Sequence, residues 1–259
     1  MLDENQGYMY RAGNAVCSME YLAFEAHSLC AGDVFRGTTH GDEAALTILR
    51  GSCIICAQGE ARETGSRNSI FGGTSPHVAF LPAACAFEVA ARTPLLFSLA
   101  KTAAGGKLNK VMHSEMGAAC GFTRGAEKTR REIFELTPAT VPTNLLVYEV
   151  FTPGGNWSSF PPHKHDAETA EERLLQEVYY FSFDPPEGFA LMWLCDDAGD
   201  LDKAYAVRNG DLVAVPRGYH TLCVSPGYAC SAHCVMAGPS KEWKFTVKQE
   251  YRHLLDWKR

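Results

Sequence analysis

The run Pro161-Pro162-His163-Lys164-His165 places two imidazoles one residue apart. Side chains on a β-strand alternate faces, so His163 and His165 point one way and Lys164 the other. Downstream, Gln176-Glu177-Val178-Tyr179-Tyr180-Phe181 is a β-prone aromatic run. Its Glu177 can share a face with Tyr179, Phe181 and Phe183. A third imidazole, His220, follows the turn Pro216-Arg217-Gly218 that closes the strand-like stretch beginning at Gly210. Three imidazoles and one carboxylate suit a divalent transition metal with open coordination positions. His163, His165, Glu177 and His220 are therefore the candidate ligands. The stretch between His165 and Glu177 is long and acidic, so Glu168, Glu171 and Glu172 compete for the carboxylate position. Such a metal either polarises neighbouring substrate oxygens as a Lewis acid or, as iron or copper, activates dioxygen. The residues alone leave both open.

Other residues could act around that centre. Tyr179, on the inward face, is a candidate donor to a substrate oxygen, and Glu168 is a candidate proton-transfer group. The charge-dense run Arg124–Ile133 reads as a solvated connector or as a source of arginines for a substrate carboxylate. Arg130 or Arg131 is the candidate there, with Arg131 the first choice, and Arg217, on the loop before His220, is a second. Lys164 takes a structural role on the opposite face, and His233 is a wall residue. His27, His40, His77, His113 and His253 have no partner pattern and receive no role.

The elements that must position these groups are short strands. The 259 residues suffice for one large or two small β domains. Strand-like runs at 21–24, 44–49, 52–56, 77–81 and 95–99 are separated by glycine turns, and a second set runs from 145 to 236. Within the first set, Val78–Ala86 echoes Leu212–His220, with Pro82, Ala84 and Ala86 standing where Pro216, Gly218 and His220 stand. The first half has no His-x-His. An all-β architecture of two related barrels is expected: an N-terminal barrel over 1–110 lacking the ligands, a connector over 111–144, and a metal-bearing barrel over 145–259. An N-terminal arm with turns at Gly7 and Gly13 precedes them, and a short helix carrying Tyr251, Leu254, Leu255 and Trp257 closes the chain.

Composition narrows the partners. A net charge of −6 gives no basic footprint for nucleic acid. No apolar run approaches a membrane span and the N-terminus lacks a secretory pattern, so a cytoplasmic protein without a membrane partner is expected. The ten cysteines are expected reduced, several acting as small apolar residues in strands. Cys53-Ile54-Ile55-Cys56 has no second pair to support a zinc or redox role.

The two histidine blocks, with Gly155, His163, His165, Glu177 and Gly188 followed by Gly210, Pro216, Gly218 and His220, resemble the paired motifs of the cupin superfamily. A single residue separates Gly218 from His220, and the His165–Glu177 spacing exceeds that of compact cupins. Longer phrases are more specific. Phe151–Asp166, Glu177–Phe181, Pro186–Leu191, Pro216–His220 and Met236–Pro239 resemble the 5-deoxyglucuronate isomerase family of myo-inositol catabolism, which is built as a bicupin. The Arg130-Arg131-x-Ile133 phrase resembles related ketol-isomerases of 4-deoxy-5-keto-uronates. The resemblance implies a double-stranded β-helix (jelly-roll) fold and a divalent metal on His163, His165, Glu177 and His220. That metal is expected to be zinc, with manganese or iron as alternatives. It also implies a small sugar-acid substrate isomerised between aldose and ketose through a cis-enediolate. A homo-oligomer is left open. The rival readings are an iron-dependent cupin dioxygenase and a non-catalytic sugar-acid-binding bicupin.

Overall fold

The computed structural model describes residues 8–10 and 16–255, and the chain divides into two compact units. Of the described residues, one contains 16–120 and 134–148; the other contains 8–10, 121–133 and 149–255. The expected boundaries therefore need correction. Segment 111–144 is not a connector. It carries the strands Met112–Ser114, Gly121–Arg124 and Arg131–Glu135, and its residues are divided between the units. Its alternating charged and apolar residues suit sheet margins, where one face meets water. The expected turns at Gly7 and Gly13 and the tail residue Trp257 lie outside the described residues.

The first unit is built on two antiparallel sheets. The larger runs Met112–Ser114, Val78–Leu81, Asp42–Arg50, Leu95–Ala103, Ala23–Leu29, Val16–Ser18. The smaller runs Val34–Thr38, Ala86–Ala91, Cys53–Ala57, Glu60–Glu63. Leu46, Ile48, Phe97 and Leu99 from one sheet and Ile55, Phe87 and Val89 from the other form its buried core, the arrangement expected of two packed sheets.

The second unit repeats the plan. Its larger sheet runs Tyr8–Tyr10, Leu212–Val215, Gln176–Asp184, Ala229–Ala237, Leu146–Pro153, Arg131–Glu135, Gly121–Arg124. Its smaller sheet runs Asp202–Arg208, Phe189–Cys195, Tyr219–Val224, Trp157–Lys164, Thr246–Val247. Gln176–Asp184 is flanked on both sides, and all its residues but the last are buried, which is why its middle, Val178–Phe181, is apolar and aromatic without alternation. Phe189–Cys195 instead alternates, burying Ala190, Met192 and Leu194 while Leu191 is exposed.

The sequence echo is structural. Leu212–Val215 leads into Tyr219–Val224, and Val78–Leu81 leads into Ala86–Ala91. Ala84 and Gly218 occupy the same turn position with φ of 54° and 91°. At Gly218 a Cβ would stand 2.8 Å from the Cys195 carbonyl oxygen, so the glycine is required by space as well as by conformation. The C-terminal helix is a 3-10 turn over Gln249–Leu254, with Tyr251 against Trp193. All ten cysteines are free. Among the described residues no helix is long and apolar enough to cross a membrane.

Candidate metal centre

Strand pairing brings the imidazoles together. Trp157–Lys164 lies antiparallel to Tyr219–Val224 with His163 directly opposite His220. His165 follows just beyond the strand end. Ring centroids are 4.6 Å apart for His163–His220, 5.1 Å for His165–His220 and 6.0 Å for His163–His165. One ring nitrogen from each lies within 4.8 Å of the others, and all three residues are buried. The alternation argument for the His-x-His pair holds.

Each ring is oriented through Nδ1 by a backbone carbonyl. His165 Nδ1 lies 2.7 Å from Leu175 O, His163 Nδ1 3.2 Å from Ser159 O and Pro161 O, and His220 Nδ1 3.4 Å from Gly218 O. A carbonyl can only accept, so each Nδ1 carries the proton and each Nε2 presents a lone pair. This carbonyl-backed tautomer is the one imidazole ligands of metals adopt.

Glu177 lies beside two of these imidazoles, across the long insertion. Leu175 N–H donates to His165 O at 2.8 Å while His165 Nδ1 donates to Leu175 O. That reciprocal pair closes the base of the insertion, and Glu177 follows two residues later. Its Oε2 lies 3.1 Å from His165 Nε2 and 3.2 Å from His220 Nε2. Burial alone would raise the Glu177 carboxyl, but the contacts with His165 and His220 outweigh it and hold it at about 2. Burial and the neighbouring His220 and His165 push His163 well down. His165 is opposed by burial yet raised by Glu177. His220 Nε2 is buried, with Glu177 Oε2 at 3.2 Å but no well-formed hydrogen bond. A buried carboxylate beside a buried lone pair left without a donor is the arrangement a cation resolves. The residues fit a divalent ion held by His163, His165, His220 and Glu177.

The competing carboxylates lie elsewhere. Glu168 is exposed and receives the Leu174 N–H at 2.9 Å. The insertion folds onto itself there and uses that carboxylate as an internal cap. Glu172 is buried, accepting the Asp166 and Ala167 N–H groups at 2.6 and 3.0 Å and Lys164 Nζ at 3.1 Å. Asp166 Oδ2 in turn accepts the Gly218 N–H at 2.8 Å, tying the insertion to the turn before His220. Lys164 thus has the structural role its face suggested. Arg217 donates to Asp196 at 2.7 Å, which commits part of its guanidinium to a loop ion pair rather than to the imidazole cluster.

Tyr179 is at the site. Its ring stands 5.8 Å from that of His220, and its hydroxyl lies 3.0 Å from Ser159 Oγ. Burial and then the Glu177 charge raise the phenol well above its usual range, so it stays protonated. Ser159 holds a left-handed backbone conformation (φ 51°) within its strand, a strained geometry of the kind found at functional sites.

Arg131 is buried, and its one hydrogen bond donates Nη1–H to Thr129 O at 2.8 Å. No carboxylate pairs with it among the described residues. Burial and then Arg124 pull its pKa down to about 10, partly offset by Tyr179, leaving it cationic. Asn156 anchors the turn before it, donating to Glu127 O and Arg130 O at 3.0 and 2.9 Å.

Sequence reasoning missed an aromatic wall. Phe245 and Trp243 lie 5.0 and 6.5 Å from His163, and Arg124 stacks over Trp243 at 4.6 Å. The spacing Trp243-Lys244-Phe245 just before a short strand was the available signal.

Fold and donor set together define a cupin-type protein with two β units and one imidazole-rich centre. Residues 2–254 match the KduI/IolB family, to which this chain belongs. It is 36% identical over 260 residues to the 5-deoxy-glucuronate isomerase of Geobacillus thermodenitrificans, covering 98% of this chain and 93% of the relative. It is 32% identical to the enzyme of the same name from Bacillus subtilis, covering 92% and 89%. Among solved structures, an IolB-like protein from Salmonella typhimurium superposes with a TM-score of 0.90 at 31% identity, covering 95% of this chain and 96% of that one. An oxalate decarboxylase from Bacillus subtilis shares the fold, with a TM-score of 0.60 at 12% identity, covering 88% and 70%. The chain is an isomerase of this family.

Proposed function

We propose that this chain is a metal-dependent 5-deoxy-glucuronate isomerase, interconverting 5-deoxy-D-glucuronate and 5-dehydro-2-deoxy-D-gluconate. The observation that carries the reading is the convergence of three carbonyl-oriented imidazoles with Glu177, in a chain 36% identical to an isomerase of that name. The substrate is a small sugar acid. In the reaction a proton leaves C2 and one arrives at C1, while the hydroxyl proton passes from O2 to O1 through a cis-enediolate. No external oxidant or reductant is required.

His163, His165, His220 and Glu177 would hold the ion, with zinc as the first expectation. When bound, it supplies Lewis acidity to the two adjacent substrate oxygens. Arg131 pairs with the carboxylate at the far end of the substrate, because a buried guanidinium without an acidic partner gains most from one. Tyr179, kept as a neutral phenol, donates a hydrogen bond to a substrate oxygen. Trp243 and Phe245 limit water at the His163 side.

The test is turnover of 5-deoxy-D-glucuronate in D₂O followed by NMR. Formation of the ketose supports the assignment, and deuterium at C1 supports the enediolate. Failure to form the ketose, with oxygen uptake on another substrate, would move the protein to oxidative chemistry.

A further inference from the structure

Among the described residues, a second cluster lies in the first unit, apart from the imidazole centre. Glu60–Glu63 is the outer strand of the four-stranded sheet and Met112–Ser114 the outer strand of the six-stranded sheet. Beside them is a cavity of about 260 Å³. Gln58, Glu60, Arg62, Lys110 and His113 give it polar groups, and Ile55 and Val111 give it an apolar side. Its volume is below the range usual for drug-sized ligands, so it suits a molecule of about six carbons or fewer.

His113 is backed by two further titratable groups. Its Nδ1 lies 3.0 Å from Nε2 of the buried His77, and His77 Nδ1 lies 3.3 Å from Glu115 Oε2. Glu115 is also paired with Arg62. Glu115 and His113 approach opposite nitrogens of His77, so the three groups cannot converge on one metal ion. The carboxylate beside Nδ1 of His77 favours a proton there. His77 Nε2 then accepts from His113 Nδ1–H, and Nε2 of His113 is left as a lone pair. Burial first, and then the adjacent His113, push His77 down to about 4, and burial lowers His113. Both rings are neutral near pH 7. No protein group bonds Nε2 of His113, and Lys110 has no ion-pair partner among the described residues.

We propose that this cavity is a second binding site, for a small hydroxy acid. Lys110 and Arg62 receive the carboxylate, His113 Nε2 and Glu60 accept from hydroxyl groups, and the carbon skeleton lies against Ile55 and Val111. Inorganic phosphate would satisfy the cations, but its hydroxyl groups sit on the charged centre itself and it brings no carbon skeleton to Ile55 and Val111, so it meets fewer of the groups that line the cavity. The pairing of cations with acceptors therefore selects an anion that also carries hydroxyl donors on a carbon skeleton.

The test uses the full-length chain stripped of metal by chelation, with ¹³C-labelled histidine, titrated with D-gluconate and separately with inorganic phosphate at millimolar concentrations. Saturable shifts of the His113 and His77 ring signals with gluconate are expected. Lys110→Glu, at an exposed position, should weaken the gluconate response by about tenfold or more, and His113→Ala should abolish the response at His77. Phosphate should bind more weakly. Absence of saturation at His113, an unchanged response in Lys110→Glu, or phosphate binding as tightly as gluconate would each overturn the proposal.

Discussion

His163 and His220 face each other across two antiparallel strands, their rings 4.6 Å apart, each with Nδ1 directed at a backbone carbonyl two residues earlier in the chain. The carbonyls come from Pro161 and Gly218. The same backbone that makes the sheet therefore fixes the tautomer of the side chains that meet upon it.

Arg131 is expected to govern substrate affinity. Arg131→Gln removes a buried cation that has no acidic partner in the protein, so the fold should lose little. The kcat/KM for the sugar acid should fall by about a hundredfold or more, mostly through KM. Steady-state kinetics on the variant decides it; an unchanged KM would place the carboxylate elsewhere.

Tyr179→Phe keeps the ring against His220 but deletes the hydroxyl that meets Ser159. Loss of that hydrogen bond should cost about 1 kcal/mol of stability. If the phenol donates to a substrate oxygen, kcat should fall by about tenfold to a hundredfold. A variant with full kcat would make Tyr179 a packing residue only.

The acidic insertion separates two carboxylates with different work. Glu168→Gln should leave turnover unchanged and stability within about 0.5 kcal/mol, because the side chain is an exposed cap. Glu172→Ala strands the Asp166 and Ala167 N–H groups and should cost about 2–3 kcal/mol. Thermal melts of the two variants should therefore diverge.

Glu25 offers a pH test in the first unit. The hydrogen bond with His27 lowers its carboxyl, burial opposes that, and Lys101 adds to the lowering, for a folded value of about 2 against 4.5. A depressed folded pKa gives stability that is present above about 4.5 and is lost as pH falls through about 2. The contribution is on the order of 1 kcal/mol after allowing for solvent screening of these partly exposed groups. Glu25→Gln should flatten the acid limb of a Tm-versus-pH curve in that window and leave the neutral limb parallel to the parent.

Much of this was legible in the sequence because the signals are local. The His-x-His spacing, the glycine–proline turn before His220 and the apolar run at Val178–Phe181 each follow from period-two alternation and turn chemistry. Strands at the sheet margins were harder to see. Glu60–Glu63 is exposed throughout and Val34–Thr38 has no fully buried residue, so neither shows the apolar pattern that marks a buried strand. The partition into units was hidden for a related reason: residues 121–133 join a sheet built mainly from residues beyond 149, and such pairing has no local mark. The His77–His113 contact likewise depends on strands 36 residues apart in sequence. The fold-back of Glu168 onto Leu174 had no mark in the sequence either.

The central claim is that the imidazole cluster holds the ion on which isomerisation depends. The most direct measurement is turnover of 5-deoxy-D-glucuronate by the protein before chelation, after exhaustive chelation, and after adding back zinc, manganese or iron, with bound metal quantified at each stage. The account predicts that activity disappears with the metal and returns as one ion per chain is restored. His165→Ala should neither retain the ion nor recover. Full turnover by verified metal-free protein, or by His165→Ala, would contradict it.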